Sequence, residues 1–213
     1  MSTADHGGTP DGPEPDGLTA AWLGLEKLGP QAGFSAMIDA LRTLQNVITG
    51  SRPPAGVLEE TTRQLTELAR QLGKYPVDER DQIAGHLAET PGRGQALIPP
   101  VHLDEVASGR VRGHVTFGRF YLGGNGAVHG GALPLVFDEL MGRLANTARS
   151  PARTAYLHVN YRNVAPIETR LTVEAHVESE EGRKRVLRGV LRDGDTVCAD
   201  AESLFVALRP GQP

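Results

Sequence analysis

From about residue 101 onward the apolar residues repeat with a period of two, and one long apolar helix interrupts that pattern. No other feature limits the fold as much. Leu171, Val173, Ala175 and Val177 alternate with Thr172, Glu174, His176 and Glu178. Ala155, Leu157, Val159 and Tyr161 alternate with His158, Asn160 and Arg162. Such alternation builds strands with one covered and one solvated face. Val111, Val115 and Phe117 fit an earlier strand. Val186–Leu191 and Thr196–Leu208 fit two later ones, joined by Asp193-Gly194-Asp195, a strong hairpin signal. The helix spans about 130–148. One helix then has to cover an antiparallel sheet of five or six strands, so the expected class is α+β. Such a sheet exposes edges, which a second copy can pair.

The first hundred residues read differently. Residues 1–17 are Gly, Pro, acid and small polar residues, the composition of a disordered tail. Residues 18–90 read as a helical extension. Met37, Leu41, Leu44 and Ile48 mark one apolar face, and Leu58, Leu65, Leu68 and Leu72 a second. Two or three such helices bury little core alone, so they are expected to pack on the following domain or on a partner subunit. Trp22 reads as a packing anchor. Residues 91–100, PGRGQALIPP, read as a linker, and 101–209 as the main domain.

Charge and cysteine content exclude several classes. The net charge of −4 gives no argument for nucleic acid or an anionic membrane, and acids outnumber Lys and Arg in the first hundred residues. No apolar run is long enough for a membrane span, and no signal peptide is legible. Cys198 is the one cysteine, so no intrachain disulfide forms, and a cytoplasmic location is expected. It reads as a packed strand residue. His102, His114, His158 and His176 lie at no ligand spacing; no metal site and no cofactor are expected.

The chemistry concentrates in Gly123-Gly124-Asn125-Gly126-Ala127-Val128-His129-Gly130-Gly131, with Asp138 seven residues beyond. A glycine-rich turn opens a helix. The helix start presents unpaired N–H groups and partial positive charge, suited to a phosphate or to an oxyanion forming on a carbonyl. Gly131 and Asp138 lie on nearly the same helix face, with only apolar residues between them. The pattern therefore predicts a buried carboxylate. The plainer alternative is that, of Asp138 and Glu139, one faces solvent and the other makes a local hydrogen bond.

Tyr121 to Asp138, YLGGNGAVHGGALPLVFD, resembles the hotdog-fold acyl-CoA thioesterases, in the branch of the PaaI and Them4-like enzymes. The strand TAYLHVNYR from Thr154, with Pro166, resembles the strand that follows the hotdog helix. The likeness covers about 101–208. It implies an antiparallel sheet wrapped around a central helix, a homodimer or homotetramer, and a site at the dimer interface that hydrolyses an acyl-CoA. Gly131 would lend its N–H to the thioester carbonyl. Asp138 would act as general base or as nucleophile. Thr154 would orient water or the carboxylate from the facing subunit. His129 would order the loop and substrate. Gly130, Asn160 and Arg162 stand as substrate-binding candidates, Arg162 for the phosphates of coenzyme A. Arg183, Lys184 and Arg185 share that reading with a solvated basic turn. Where several relatives carry Asn, this chain has Gly123, and Asn125 does not align. The competing readings are a non-catalytic acyl-CoA sensor and a hotdog dehydratase or hydratase.

Overall fold

A computed structural model describes residues 32–87 and 90–212. Six long strands form one antiparallel sheet in the order β1-β2-β6-β7-β8-β5. They are β1 (Val101–Ala107), β2 (Arg110–Thr116), β5 (Ala152–Tyr161), β6 (Arg170–Glu181), β7 (Lys184–Asp193) and β8 (Thr196–Ala207). A small hairpin, β3 (Leu122–Gly124) and β4 (Ala127–Val128), stands before the central helix. That helix, here α3, is Ala132–Asn146. Two further helices precede the sheet: α1 (Ala32–Thr49) and α2 (Ala55–Leu72). The α+β class expected from the alternating strands, and the hotdog fold that the resemblance implies, are both observed.

The sheet wraps α3 because its inner face is apolar and, along β8, small. Ala199, Ala201, Ser203, Phe205 and Ala207 alternate inward, while Asp200, Glu202 and Leu204 turn outward. Gly189 on β7 lets the helix approach closely; a Cβ there would sit 2.6 Å from the Met141 methyl and 3.2 Å from Phe137. Phe137, Leu140, Met141 and Leu144 are fully buried against Leu171, Val173, Leu187 and Leu191. Each such side chain contributes about 1.5–3 kcal/mol over an exposed one. The C-terminal end of α3 is closed by Arg185, which is itself buried. Its guanidinium donates to the Ala145 carbonyl (2.7 Å), to the Ser150 carbonyl and hydroxyl (2.8 Å each) and to Glu180 (3.0 Å). Helix ends need such partners for their carbonyls. Arg185 is therefore a structural cap, not part of a solvated turn, and Arg183 donates to the Ala207 carbonyl.

Helix α1 docks by a face the apolar spacing does not mark. Met37, Leu41 and Ile48 are exposed, whereas Ile38 is buried and Arg42 and Asn46 face the domain. Asn46 Oδ1 accepts from the Phe120 amide at 3.0 Å, and Arg42 donates to the carbonyls of Pro91 (2.8 Å) and Gln95 (3.0 Å). Polar anchors decide the docking because each satisfies backbone groups of loops that α1 covers. Helix α2 has no buried residue at all. Residues 1–17 and Trp22 lie outside the described residues.

Candidate active site

The glycine-rich stretch folds as a tight hairpin. Asn125 (φ 50°) and Gly126 (φ 77°) take left-handed conformations at its tip, as an Asn-Gly two-residue turn does. Gly123 is required by what it faces: a Cβ there would sit 2.8 Å from the His129 Cα. The hairpin is held by His129 N–H donating to the Tyr121 carbonyl (2.7 Å) and Val128 N–H to the Ala165 carbonyl (2.8 Å). His129, Gly130 and Gly131 then open α3, all exposed.

Two side chains shape that helix start. The Gly131 amide donates to His129 Nδ1 at 3.0 Å. Acceptance by Nδ1 requires the neutral ring with its proton on Nε2. The Tyr161 hydroxyl donates to the Gly130 carbonyl at 2.9 Å. Tyr161 was legible in the sequence as a strand residue, but nothing there pointed to this bond.

Asp138 lies two turns further on and is exposed in the single chain, so the buried carboxylate expected there is not Asp138. Glu139 is the buried one. Its partner is Arg93, whose Nε donates to both carboxylate oxygens (3.0 and 3.1 Å) while Nη2 lies 2.9 Å from Oε2. Asp138 Oδ1 instead accepts from the Thr154 hydroxyl at 2.9 Å, within the same chain. The bond joins α3 to β5 within this chain.

A β-bulge makes that bond. In the β5–β8 ladder Thr154 pairs with Phe205 and Tyr156 with Leu204, leaving Ala155 as the extra residue. Before the bulge, Ala152 and Thr154 share the inner face with Ala207 and Phe205; after it, Leu157 and Val159 do, opposite Ser203 and Ala201. One extra residue switches the parity and aims Thr154 at the helix. Uninterrupted alternation from Ala155 would have turned it to solvent. Beside this pair opens a cavity of about 260 Å³, lined by Arg93, Asp138, Glu139, Arg143, Thr154 and Phe205 among others. A second hollow of about 620 Å³, lined by residues of 78–95, shares Arg93 and Arg153 with it.

Asn160 and Arg162 are brought together on the outer face, both against Asp200. Asn160 Nδ2 donates to Oδ1 at 2.7 Å and Arg162 Nε to Oδ2. The guanidinium and the Asn160 amide hold the Asp200 carboxyl below its ordinary range. Arg183 and Arg185 serve the backbone as described above. Cys198 is buried, and burial pushes its thiol up, the opposite of a nucleophile's setting. Among the described residues no group of three or more His, Cys, Asp or Glu is placed to hold a metal ion.

Residues 125–200 match the model of the thioesterase superfamily. A crystallised thioesterase superfamily protein, RHA08564, superposes with a TM-score of 0.72 at 27% identity, over 83% of this chain and 92% of that one. The sheet wrapped around its helix is a hotdog fold, similar to that thioesterase superfamily protein. Among curated proteins, the acyl-coenzyme A thioesterase THEM4 of Mus musculus is 31% identical over 90 residues, 41% of this chain and 39% of that protein. The acyl-coenzyme A thioesterase THEM5 of Homo sapiens is 26% identical over 94 residues, 43% and 38% of the two chains. The match thus spans about two fifths of the length of these relatives. No helix among the described residues is long and apolar enough to cross a membrane.

Proposed function

We propose that the chain is an acyl-CoA thioesterase, hydrolysing an acyl-CoA to a free carboxylic acid and coenzyme A. The observation that carries this reading is the Thr154–Asp138 hydrogen bond beside an open cavity. A superfamily domain whose relatives are named acyl-CoA thioesterases supports it.

In this reading the substrate carbonyl displaces the His129 ring from the Gly131 amide and takes that hydrogen bond. The N–H then stabilises the oxyanion as it forms. Asp138, held by Thr154, takes a proton from water as the water oxygen attacks the carbonyl carbon. Collapse of the tetrahedral intermediate breaks the C–S bond, and the departing thiolate receives the proton. The alternative course has an Asp138 oxygen attack first, giving an anhydride that water then cleaves. His129 orders the loop. Asn160 and Arg162 reach substrate only if a coenzyme A group competes with Asp200 for them.

Seven residues at about 1.5 Å each separate Gly131 from Asp138 by about 10 Å along α3. That span favours a site shared between two copies, with Gly131 of one protomer facing Asp138 and Thr154 of the partner subunit. The free edge of β5 is where two sheets would join, giving a homodimer or a dimer of dimers. We place the enzyme in the cytoplasm, in lipid and fatty acid metabolism.

Thiol release from acyl-CoAs running from acetyl to palmitoyl tests the activity. Tight binding with no release would return the sensor reading, and turnover of an enoyl- or 3-hydroxyacyl-CoA without hydrolysis the dehydratase or hydratase reading. Co-expressing Asp138→Asn with Gly131→Pro tests the shared site. If each protomer completes its neighbour, the mixed dimer regains one working site; if each site is made of one chain, it stays as dead as its parents.

A further inference from the structure

Arg93 lies outside the alternating-strand domain, in a segment whose sequence reads as a linker, yet its side chain reaches the residue next to Asp138. Its own backbone is left-handed (φ 53°), between Gly92 (φ 64°) and Gly94 (φ 74°). A non-glycine residue holds that conformation only where its surroundings fix it. They do so here. The Arg93 carbonyl accepts from the Gly85 amide at 2.8 Å, and the Arg93 amide donates to Thr90 at 2.7 Å. Arg42 of α1 spans the turn through Pro91 and Gln95, and Ser35 of α1 meets Thr90 at 2.8 Å. A Cβ on Gly92 would sit 2.9 Å from the Arg42 guanidinium and 3.0 Å from the Ile98 carbonyl. The turn is a built strap that aims one guanidinium at one carboxylate.

That carboxylate, Glu139, has a side chain only 6% exposed, against 29% for Arg93. A buried carboxylate without its partner has to move or lose its charge. Glu139 is followed by the fully buried Leu140 and Met141 and follows Asp138 directly. Displacing it therefore displaces the turn that sets the Asp138–Thr154 bond. The charged groups around Asp138 are Arg93 from the strap, Glu139 and Arg143 from α3, and Arg153 from β5.

We propose that Arg93 is a positioning residue for Asp138, acting through Glu139, so that the segment before the hotdog domain is part of the working site. The proposal rests on the thioesterase reading above. It assigns the strap a place in turnover, beyond covering the domain.

The test is thiol release by the full chain at saturating acyl-CoA, with melting temperature measured in parallel. Asp138→Asn is run beside the series. Arg93→Met should lower kcat about 10- to 100-fold, the scale of a small misplacement of a reacting group, with KM moving much less. Arg93→Lys keeps the cation and loses the two-pronged contact, and should fall between. The pair Arg93→Met/Glu139→Leu removes both charges and should recover most of kcat. If Arg93→Met lowers melting temperature while kcat holds within about twofold of the native chain, Arg93 is structural only and the proposal falls. It falls equally if the double variant stays as slow as Arg93→Met, because the effect then does not pass through Glu139. An Asp138→Asn chain with full turnover would instead overturn the thioesterase mechanism itself, whatever the Arg93 series shows.

Discussion

Helices α2 and α3 are both amphipathic by sequence, and the structure treats them in opposite ways. Ten of the fifteen residues of α3 are buried, while α2 has none buried in eighteen. Leu58, Leu68 and Leu72 of α2 are each more than half exposed, whereas Leu140 and Leu144 of α3 are fully covered. The polar face of α2 is stitched by its own i,i+3 pairs, Glu60–Arg63 and Glu67–Arg70. The polar positions of α3 instead reach other elements: Asp138 to β5, Glu139 to the strap. Periodicity shows that a segment is helical and which stripe is apolar. What covers the stripe is decided elsewhere, here by the small residues of β8 and the missing side chain at Gly189.

That contrast is open to measurement. Leu140→Ala on α3 should cost about 2–5 kcal/mol of unfolding free energy, read by denaturant melts. Gly131→Pro suits the backbone angle of the helix start (φ −68°), deletes its N–H and pushes the exposed His129 ring aside, since a Cβ there would lie 3.3 Å from His129 Nδ1. It should lower kcat by about 10²–10³-fold with melting temperature nearly unchanged. Thr154→Val, which removes the hydroxyl and keeps the shape, should slow thiol release about tenfold through one lost hydrogen bond to a charged group. Leu68→Ala on α2 should change stability by less than about 0.5 kcal/mol, as exposed positions do. A loss like that of Leu140→Ala would mean that the α2 stripe is covered in the assembly, and the contrast would fail.

The ion pairs sharpen it further at low pH. Arg149 and then Arg185 hold the Glu180 carboxyl below its ordinary 4.5. A carboxyl lowered in the folded state adds stability that is present above 4.5 and lost as pH falls through the lowered value. Glu180→Gln should therefore flatten the fall in stability below about pH 4.5. The exposed pair of Glu67 is solvated, so Glu67→Gln should leave that slope nearly unchanged.

Much of this architecture was legible in the residues. Alternation in β6 identified its inner face, Leu171, Val173 and Ala175, and Asp193-Gly194-Asp195 marked the hairpin that joins the last two strands. The resemblance carried by His129-Gly130-Gly131, Asp138 and the strand from Thr154 pointed to the two side chains that the structure joins at 2.9 Å. Three things were hidden. The bulge at Ala155 leaves no mark in the hydropathy pattern, since both registers bury an apolar residue. The docking face of α1 joins Ile38 to the polar Arg42 and Asn46, so the apolar stripe through Met37, Leu41 and Ile48 pointed to the wrong side. The partner of Glu139 lies 46 residues away in a Gly-Arg-Gly turn. Three successive left-handed residues are invisible to composition, which sees only glycine and proline.

The account depends most on Asp138. Native chain and Asp138→Asn should be compared for thiol release from the best acyl-CoA at saturation, with melting curves showing both folded. Loss of a general base or nucleophile predicts a fall of about 10²–10⁴-fold in kcat. Turnover within about threefold of the native chain would contradict it, and the Thr154–Asp138 pair would then be a structural contact between helix and strand.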